Sequence, residues 1–145
     1  MAEIIDLFED NKSIWLGMDD YLIKLKKSNH LIELNYLGEP PHGDSYHQMK
    51  IDGVIIQGYF WGCMFLFPVE QNYIVCSWMS KIYERKTIII DIKQKRYHIF
   101  EDYWYDFNYE NGLLVLGNEK FNIAKEVVIN NITSWNSVII QTILK

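Results

Sequence analysis

Met49-Lys50-Ile51-Asp52-Gly53-Val54-Ile55-Ile56 reads as a strand, a two-residue turn and a returning strand. A type I′ turn needs positive φ at both central residues, which Asp and Gly tolerate and β-branched residues do not. Such a turn sets Ile51 opposite Val54, Met49 opposite Ile56, Gln48 opposite Gln57 and Tyr46 opposite Tyr59. Asn111-Gly112 carries the same signal further on and sets Tyr109 opposite Leu114 and Phe107 opposite Leu116. Asp106, Asn108 and Glu110 then point the other way. A one-residue slip would bury these polar groups, so the register is well specified.

A third hairpin is expected from Tyr21–Lys27 and His30–Leu37 around Ser28-Asn29. A two-residue turn pairs Leu25 with Ile32, Ile23 with Leu34, Tyr21 with Tyr36, and Lys24 with Glu33 on the outer face. Asn72–Ser80 and Lys86–Ile92 read as further strands. A turn at Lys93–Arg96 leads into Tyr97–Phe100, with Ile88, Ile90 and Ile92 on one face. Lys120–Ile123, Val127–Ile132 and Val138–Leu144 continue the pattern, the last as strand or short helix. Ile4, Ile5, Leu7 and Phe8 are spaced for a short amphipathic helix.

Recurrent short strands between turn signals predict a mainly β chain with little helix: one antiparallel meander, a single domain over residues 1–145. A twisted sheet, a sandwich and a partly closed barrel all accommodate the pattern. The breaker-rich loop Gly38–Asp44 separates the first hairpin from the rest, but 37 residues are too few to bury a core alone.

Apolar residues make up 49% of the 145 and aromatics 15%, enough for a core without disulfide or metal. The formal charge of −5 argues against nucleic-acid binding, which depends on Lys and Arg, and favours encounter with a cationic partner. The segment Met1–Asp6 has neither a basic region nor a long apolar run, and no stretch reaches the ~18 apolar residues of a membrane span. The expected compartment is the cytoplasm, with Cys63 and Cys76 as buried thiols.

The common catalytic signatures are missing: no Gly-x-Ser-x-Gly, P-loop, dinucleotide fingerprint or His-Glu-x-x-His. His42, Asp44 and His47 could ligate a metal, but their spacing matches no ligand pattern. The adjacent acids Asp19-Asp20 and Glu101-Asp102 do not straddle a substrate as paired catalytic carboxylates must. Tyr83–Lys86 and Lys93–Arg96 could grip phosphate, or could be charged turns that protect sheet edges. The expectation is a non-enzyme without cofactor or metal.

Tyr97 to Glu110 stands apart, with seven aromatics and four acids, and no Lys or Arg occurs between Arg96 and Lys120. Strand alternation sends Tyr105, Phe107 and Tyr109 inward and Trp104 outward with Asp106, Asn108 and Glu110. An exposed Trp ringed by polar groups has the anatomy of a protein-binding hot spot. Glu101, Asp102, Trp104, Asp106, Asn108 and Glu110 are therefore the expected partner-binding set. The competing reading packs Trp104 beneath the amino-terminal hairpin.

Glu84–Ile92, followed by Tyr103-Trp104-Tyr105-Asp106-Phe107, resembles the small immunity proteins of bacterial polymorphic and contact-dependent growth-inhibition toxin systems. The resemblance is one of type over the whole length: short, acidic, rich in Ile, Asn and Lys, aromatic, and lacking an active site. It implies a cytosolic antitoxin that binds a toxin domain, often a nuclease, and occludes its active site. It assigns no residue roles. The alternatives are a β-barrel or sandwich that binds a small ligand in an apolar pocket, a metal-dependent hydrolase using His42 and His47, and an oligomer-forming structural protein.

Overall fold

A computed structural model describes residues 2–41, 44–81, 84–118 and 123–137. The chain is mainly β, with 59% of residues in strands, in a large mixed sheet and a small one. The strands are β1 (Glu3–Leu7), β2 (Ser13–Trp15), β3 (Tyr21–Leu25), β4 (His30–Gly38), β5 (Tyr46–Ile51), β6 (Val54–Leu66), β7 (Tyr73–Met79), β8 (Lys86–Asp91), β9 (Arg96–Ile99), β10 (Asp106–Glu110), β11 (Leu113–Asn118), β12 (Ile123–Val127) and β13 (Asn136–Ser137).

The large sheet runs β1-β3-β4-β5-β6-β7-β8-β9-β13, with β2 added beside β6; β10-β11-β12 form the small sheet. Among the described residues every pairing is antiparallel except β1 on β3. The helix expected at Ile4–Phe8 is therefore an edge strand. So short a helix is marginal alone, whereas β3 supplies backbone partners along its length.

Both Gly-containing turns form as expected, with positive φ at Asp52, Gly53, Asn111 and Gly112. Ile51 faces Val54 and Met49 faces Ile56, but further along Tyr46 lies opposite Trp61 rather than Tyr59. A bulge at Gly58, φ +96°, moves the register by two, an even step that keeps each residue on its face. The Tyr46 and Tyr59 rings still meet edge to face at 5.5 Å.

The first hairpin shows a similar shift. Tyr21 faces Leu34, Ile23 faces Ile32, and Lys24 faces Leu31 rather than Glu33. Asn29, at φ +61°, closes a four-residue loop by donating its N–H to the Leu25 carbonyl at 2.8 Å. The apolar face, Tyr21, Ile23, Leu25, Ile32 and Leu34, is unchanged and buried. Tyr36 becomes partly exposed. The loop from Gly38 to Asp44 links β4 to β5, its neighbour in the same sheet.

Among the described residues no long helix covers the large sheet, which covers itself. The long strand β6 loses register against β7 between Phe60 and Phe65. Irregularities of this kind bend a strand and increase its twist. The bent sheet curls around a core that includes Ile23, Leu34, Met49, Phe60, Phe65, Ile74 and Ile90. Gln71, fully buried, bridges the curl. Its Nε2 donates to the Leu7 carbonyl at 2.8 Å, and its Oε1 accepts the Lys27 N–H at 2.7 Å. The sheet does not close into a barrel.

The other face of the sheet, through Leu66, Val75 and Ile89, packs on the small sheet through Phe107, Leu114 and Leu116. In β8, residues 88, 89 and 90 thus serve two cores alternately. Ile129–Asn131, expected within a strand, forms a 3₁₀ turn that buries Ile129 in this second core. Of the strand expected at Lys120–Ile123 only Ile123 is described, and Val138–Leu144 lies outside the described residues. Cys63 and Cys76 are both buried and free.

Candidate functional site

The expected partner-binding residues lie on the link from β9 to β10 and on β10 itself, and the structure inverts one of them, Trp104, together with its neighbour Tyr105. Trp104 is 7% exposed, packed with Leu66, Phe100, Phe107 and Leu116, so its assignment as a solvent-facing anchor is wrong. Tyr105, expected in the core, is 48% exposed. Alternation fails here because β10 begins at Asp106, so residues 101–105 are not strand and follow no two-residue period. From Asp106 onward alternation holds: Phe107 is buried, while Asn108 and Glu110 are exposed. Phe107 faces Leu116 and Tyr109 faces Leu114, as expected.

Hydrogen bonds from both sheets fix this link. Thr87, fully buried on β8, accepts the Trp104 N–H at 2.7 Å and donates to the Trp104 carbonyl at 3.2 Å. The Phe100 N–H donates to the Thr87 carbonyl at 2.9 Å, and the Tyr105 N–H to the Gly117 carbonyl at 3.1 Å. Tyr103 reaches inward, its hydroxyl 3.1 Å from Ser77 Oγ and 3.1 Å from Arg85 Nη1. Inward-turned Tyr103 and Trp104 leave Glu101, Asp102 and Tyr105 outward, beside half-buried Asp106.

Arg85 is the hub of the buried side. Its guanidinium lies 4.1 Å from the centre of the Trp61 ring and pairs with Asp44. Burial opposes its charge, but the Asp44 carboxylate and the Tyr103 hydroxyl outweigh that and hold its pKa above the ordinary value. Burial pushes the Tyr103 phenol up. Arg96 is likewise engaged, with Asp91 at 2.9 Å and over the Trp135 ring at 4.4 Å. Neither arginine of the two basic clusters is thus free to grip phosphate. Tyr83 lies outside the described residues.

The candidate metal set does not assemble. Asp44 is taken by Arg85, and His47 is fully buried with its Nε2 donating to the Asp19 carbonyl at 2.9 Å. His42 lies outside the described residues. Among the described residues no group of three or more His, Cys, Asp or Glu side chains is placed to hold a metal ion. Asp20, from the other acidic pair, accepts the Tyr36 N–H at 2.7 Å.

Glu101, Asp102, Asp106 and Glu110 put four carboxylates in one stretch of chain, and Asp106, Asn108 and Glu110 share the side of β10 opposite buried Phe107. Among the described residues no ion pair uses Glu101, Asp102, Asp106 or Glu110, whereas Asp6, Glu9, Asp10, Asp44, Asp52 and Asp91 are each paired with Lys, Arg or His. On the outer side of the small sheet, Asp106, Asn108, Val115, Gly117 and Ala124 line a dish of about 240 Å³. That lies below the roughly 300 Å³ at which small-molecule sites begin. It suits a protruding side chain better than a whole ligand.

Sequence reasoning missed the roles of Tyr105 and Thr87, and read Arg85 only as one charge of the Tyr83–Lys86 cluster. For Thr87 a signal existed, a hydroxyl at the head of an isoleucine run, where a buried polar group requires a partner. No helix among the described residues is long and apolar enough to cross a membrane. No protein-family model, curated protein or solved structure matches the chain.

Proposed function

We propose that the chain is a cytoplasmic immunity protein that binds a basic toxin domain through the face carrying Glu101, Asp102, Tyr105, Asp106, Asn108 and Glu110. The observation that supports this reading is the pairing of an exposed aromatic with four carboxylates that have no intramolecular ion pair among the described residues. Tyr105 takes the anchoring role first given to Trp104. Tyr is among the residues that dominate hot spots, and the acids around it steer and then pair with Lys or Arg.

A nuclease domain presents a cationic cleft for phosphate, and a fixed array of carboxylates competes for the same groups. The dish beside Asp106 receives one Lys or Arg side chain. The backbone bonds from Thr87 hold the array before contact, which lowers the ordering cost of binding. About 800 Å² per partner is enough for a stable complex.

The test is co-expression with the toxin domain encoded beside this gene. The wild-type chain is expected to rescue growth and to bind the purified domain. Asp106→Lys with Glu110→Lys should slow association at least tenfold at low salt, and less at high salt. A neighbouring frame encoding no toxin, absence of rescue, or association rates unmoved by the double variant would each overturn the reading.

A further inference from the structure

On the side of the large sheet away from β10–β12, a cleft of about 440 Å³ opens into the larger core. Its apolar walls come from three strands and a turn: Ile51 at the end of β5, Val54 and Ile56 on β6, Ile90 on β8, and Ile92 just beyond it. All but Val54 are core residues, so the cleft is an opening in the core itself, where the curled sheet fails to close. Val54 is 45% exposed, a large apolar side chain left at the lip. The volume falls within the roughly 300–1,000 Å³ typical of small-ligand sites.

The lip is polar, and its charges are unevenly satisfied. Asp91 accepts from Arg96 Nε at 2.9 Å and from the Gln94 N–H at 3.1 Å. Asp52 is 2.7 Å from His30 Nδ1 and accepts the Leu31 N–H at 2.8 Å. Both carboxylates are held by the protein's own donors. Lys93 and Lys95, on the exposed β8–β9 turn, also line the cleft, and no ion pair among the described residues uses either. An apolar cleft with two uncommitted ammonium groups at its mouth matches a ligand with an apolar tail and one anionic head.

We infer that this cleft binds a free, medium-chain aliphatic carboxylate, its tail against Ile51, Ile56, Ile90 and Ile92 and its head group between Lys93 and Lys95. Burial of the tail supplies affinity, and the lysines supply the sign of the charge. This site lies on the opposite side of the large sheet from the acidic face and does not depend on the function proposed for that face.

The experiment is calorimetric titration of the full chain with octanoate, decanoate and dodecanoate below their micelle concentrations. Dodecyltrimethylammonium and anionic phosphatidylglycerol vesicles are the controls. Saturable one-to-one binding is expected, tightening about fourfold per added methylene until the cleft is full. Dodecanoate should bind at least tenfold tighter than the ammonium compound. Lys93→Glu with Lys95→Glu should abolish that preference without changing the melting temperature by more than a few degrees, since both positions are exposed. NMR should report the ligand at the methyl groups of Ile51, Ile56, Ile90 and Ile92 and leave the ring signals of Tyr105 unmoved. No saturable binding, equal affinity for both head groups, an unchanged double variant, or binding to vesicles in place of the free carboxylate would each overturn the inference. Rescue from the toxin should be the same in the Lys93/Lys95 variant, so the two proposals fail independently.

Discussion

Thr87 and Trp104 hold each other through one hydroxyl, which accepts the Trp104 N–H at 2.7 Å and donates to the Trp104 carbonyl at 3.2 Å. Both residues are buried, and no other hydrogen bond among the described residues ties the Trp104 backbone to the large sheet. Thr87→Val keeps shape and volume but leaves a buried N–H and carbonyl without partners. The expected loss is about 1–3 kcal/mol, measured by urea unfolding. Thr87→Ser keeps the hydroxyl and should cost less. Equal losses for both would show that the methyl group, not the hydrogen bonds, matters.

Trp104 and Tyr105 should separate stability from binding. Trp104→Ala empties a core position and is expected to cost about 3–5 kcal/mol of stability. Tyr105→Ala, at a half-exposed site, should change stability by no more than about 0.5 kcal/mol. It should weaken toxin binding by more than ~1 kcal/mol, read by titration against the purified domain. The reverse pattern would restore the assignment first made to Trp104.

That reversal marks how far the sequence could be read. Both Gly turns, the inward positions of Ile23, Leu34, Phe107 and Leu116, and the mainly β class follow from local chemistry. Asp-Gly and Asn-Gly permit the positive φ their turns need, and a two-residue period survives any even register shift. The Gly58 bulge and the four-residue loop at Asn29 were hidden because they depend on how the sheet bends. Trp104 was misassigned because a period was carried past the end of a strand. The parallel pairing of β1 with β3 and the closing role of Gln71 are set by distant segments, which no local pattern encodes.

Titration should narrow the stable pH range from both ends. Burial raises the thiols of Cys63 and Cys76 and the phenol of Tyr103, so the native state holds these protons more tightly than the unfolded chain. Their contribution is fully present below about pH 8.5, the ordinary thiol value, and is lost as pH rises through the raised native values. Burial lowers His47, so the native state resists its protonation. That contribution is present above about pH 6.5 and is lost as pH falls through the lowered value. Calorimetric Tm should be highest near neutrality and lower at pH 5 and pH 10. A Tm still rising between pH 8.5 and 10 would contradict the alkaline half.

Gly58 has no room for a side chain. Its φ is +96°, and a Cβ there would sit 2.2 Å from Trp78 Nε1 and 2.8 Å from the Met79 carbonyl. Trp78 Nε1 donates to the Gln57 carbonyl at 3.0 Å, so the indole cannot retreat without losing that bond. Gly58→Ala should cost about 2 kcal/mol or more in chemical denaturation. Gly53→Ala, where the turn is open to solvent, meets only the positive-φ penalty and should cost less.

The attachment of β2 to β6 constrains how the chain folds during its synthesis. Hairpins β3–β4, β4–β5 and β5–β6 can close as each new strand leaves the ribosome. Ser13 pairs with Leu66 and Trp15 with Met64, so β2 has no place to dock until all of β6 has emerged. At about 5–20 residues per second that is a wait of roughly 3–10 s. Throughout it, Ile14, which ends half-buried against the larger core, stays uncovered and open to chaperone capture.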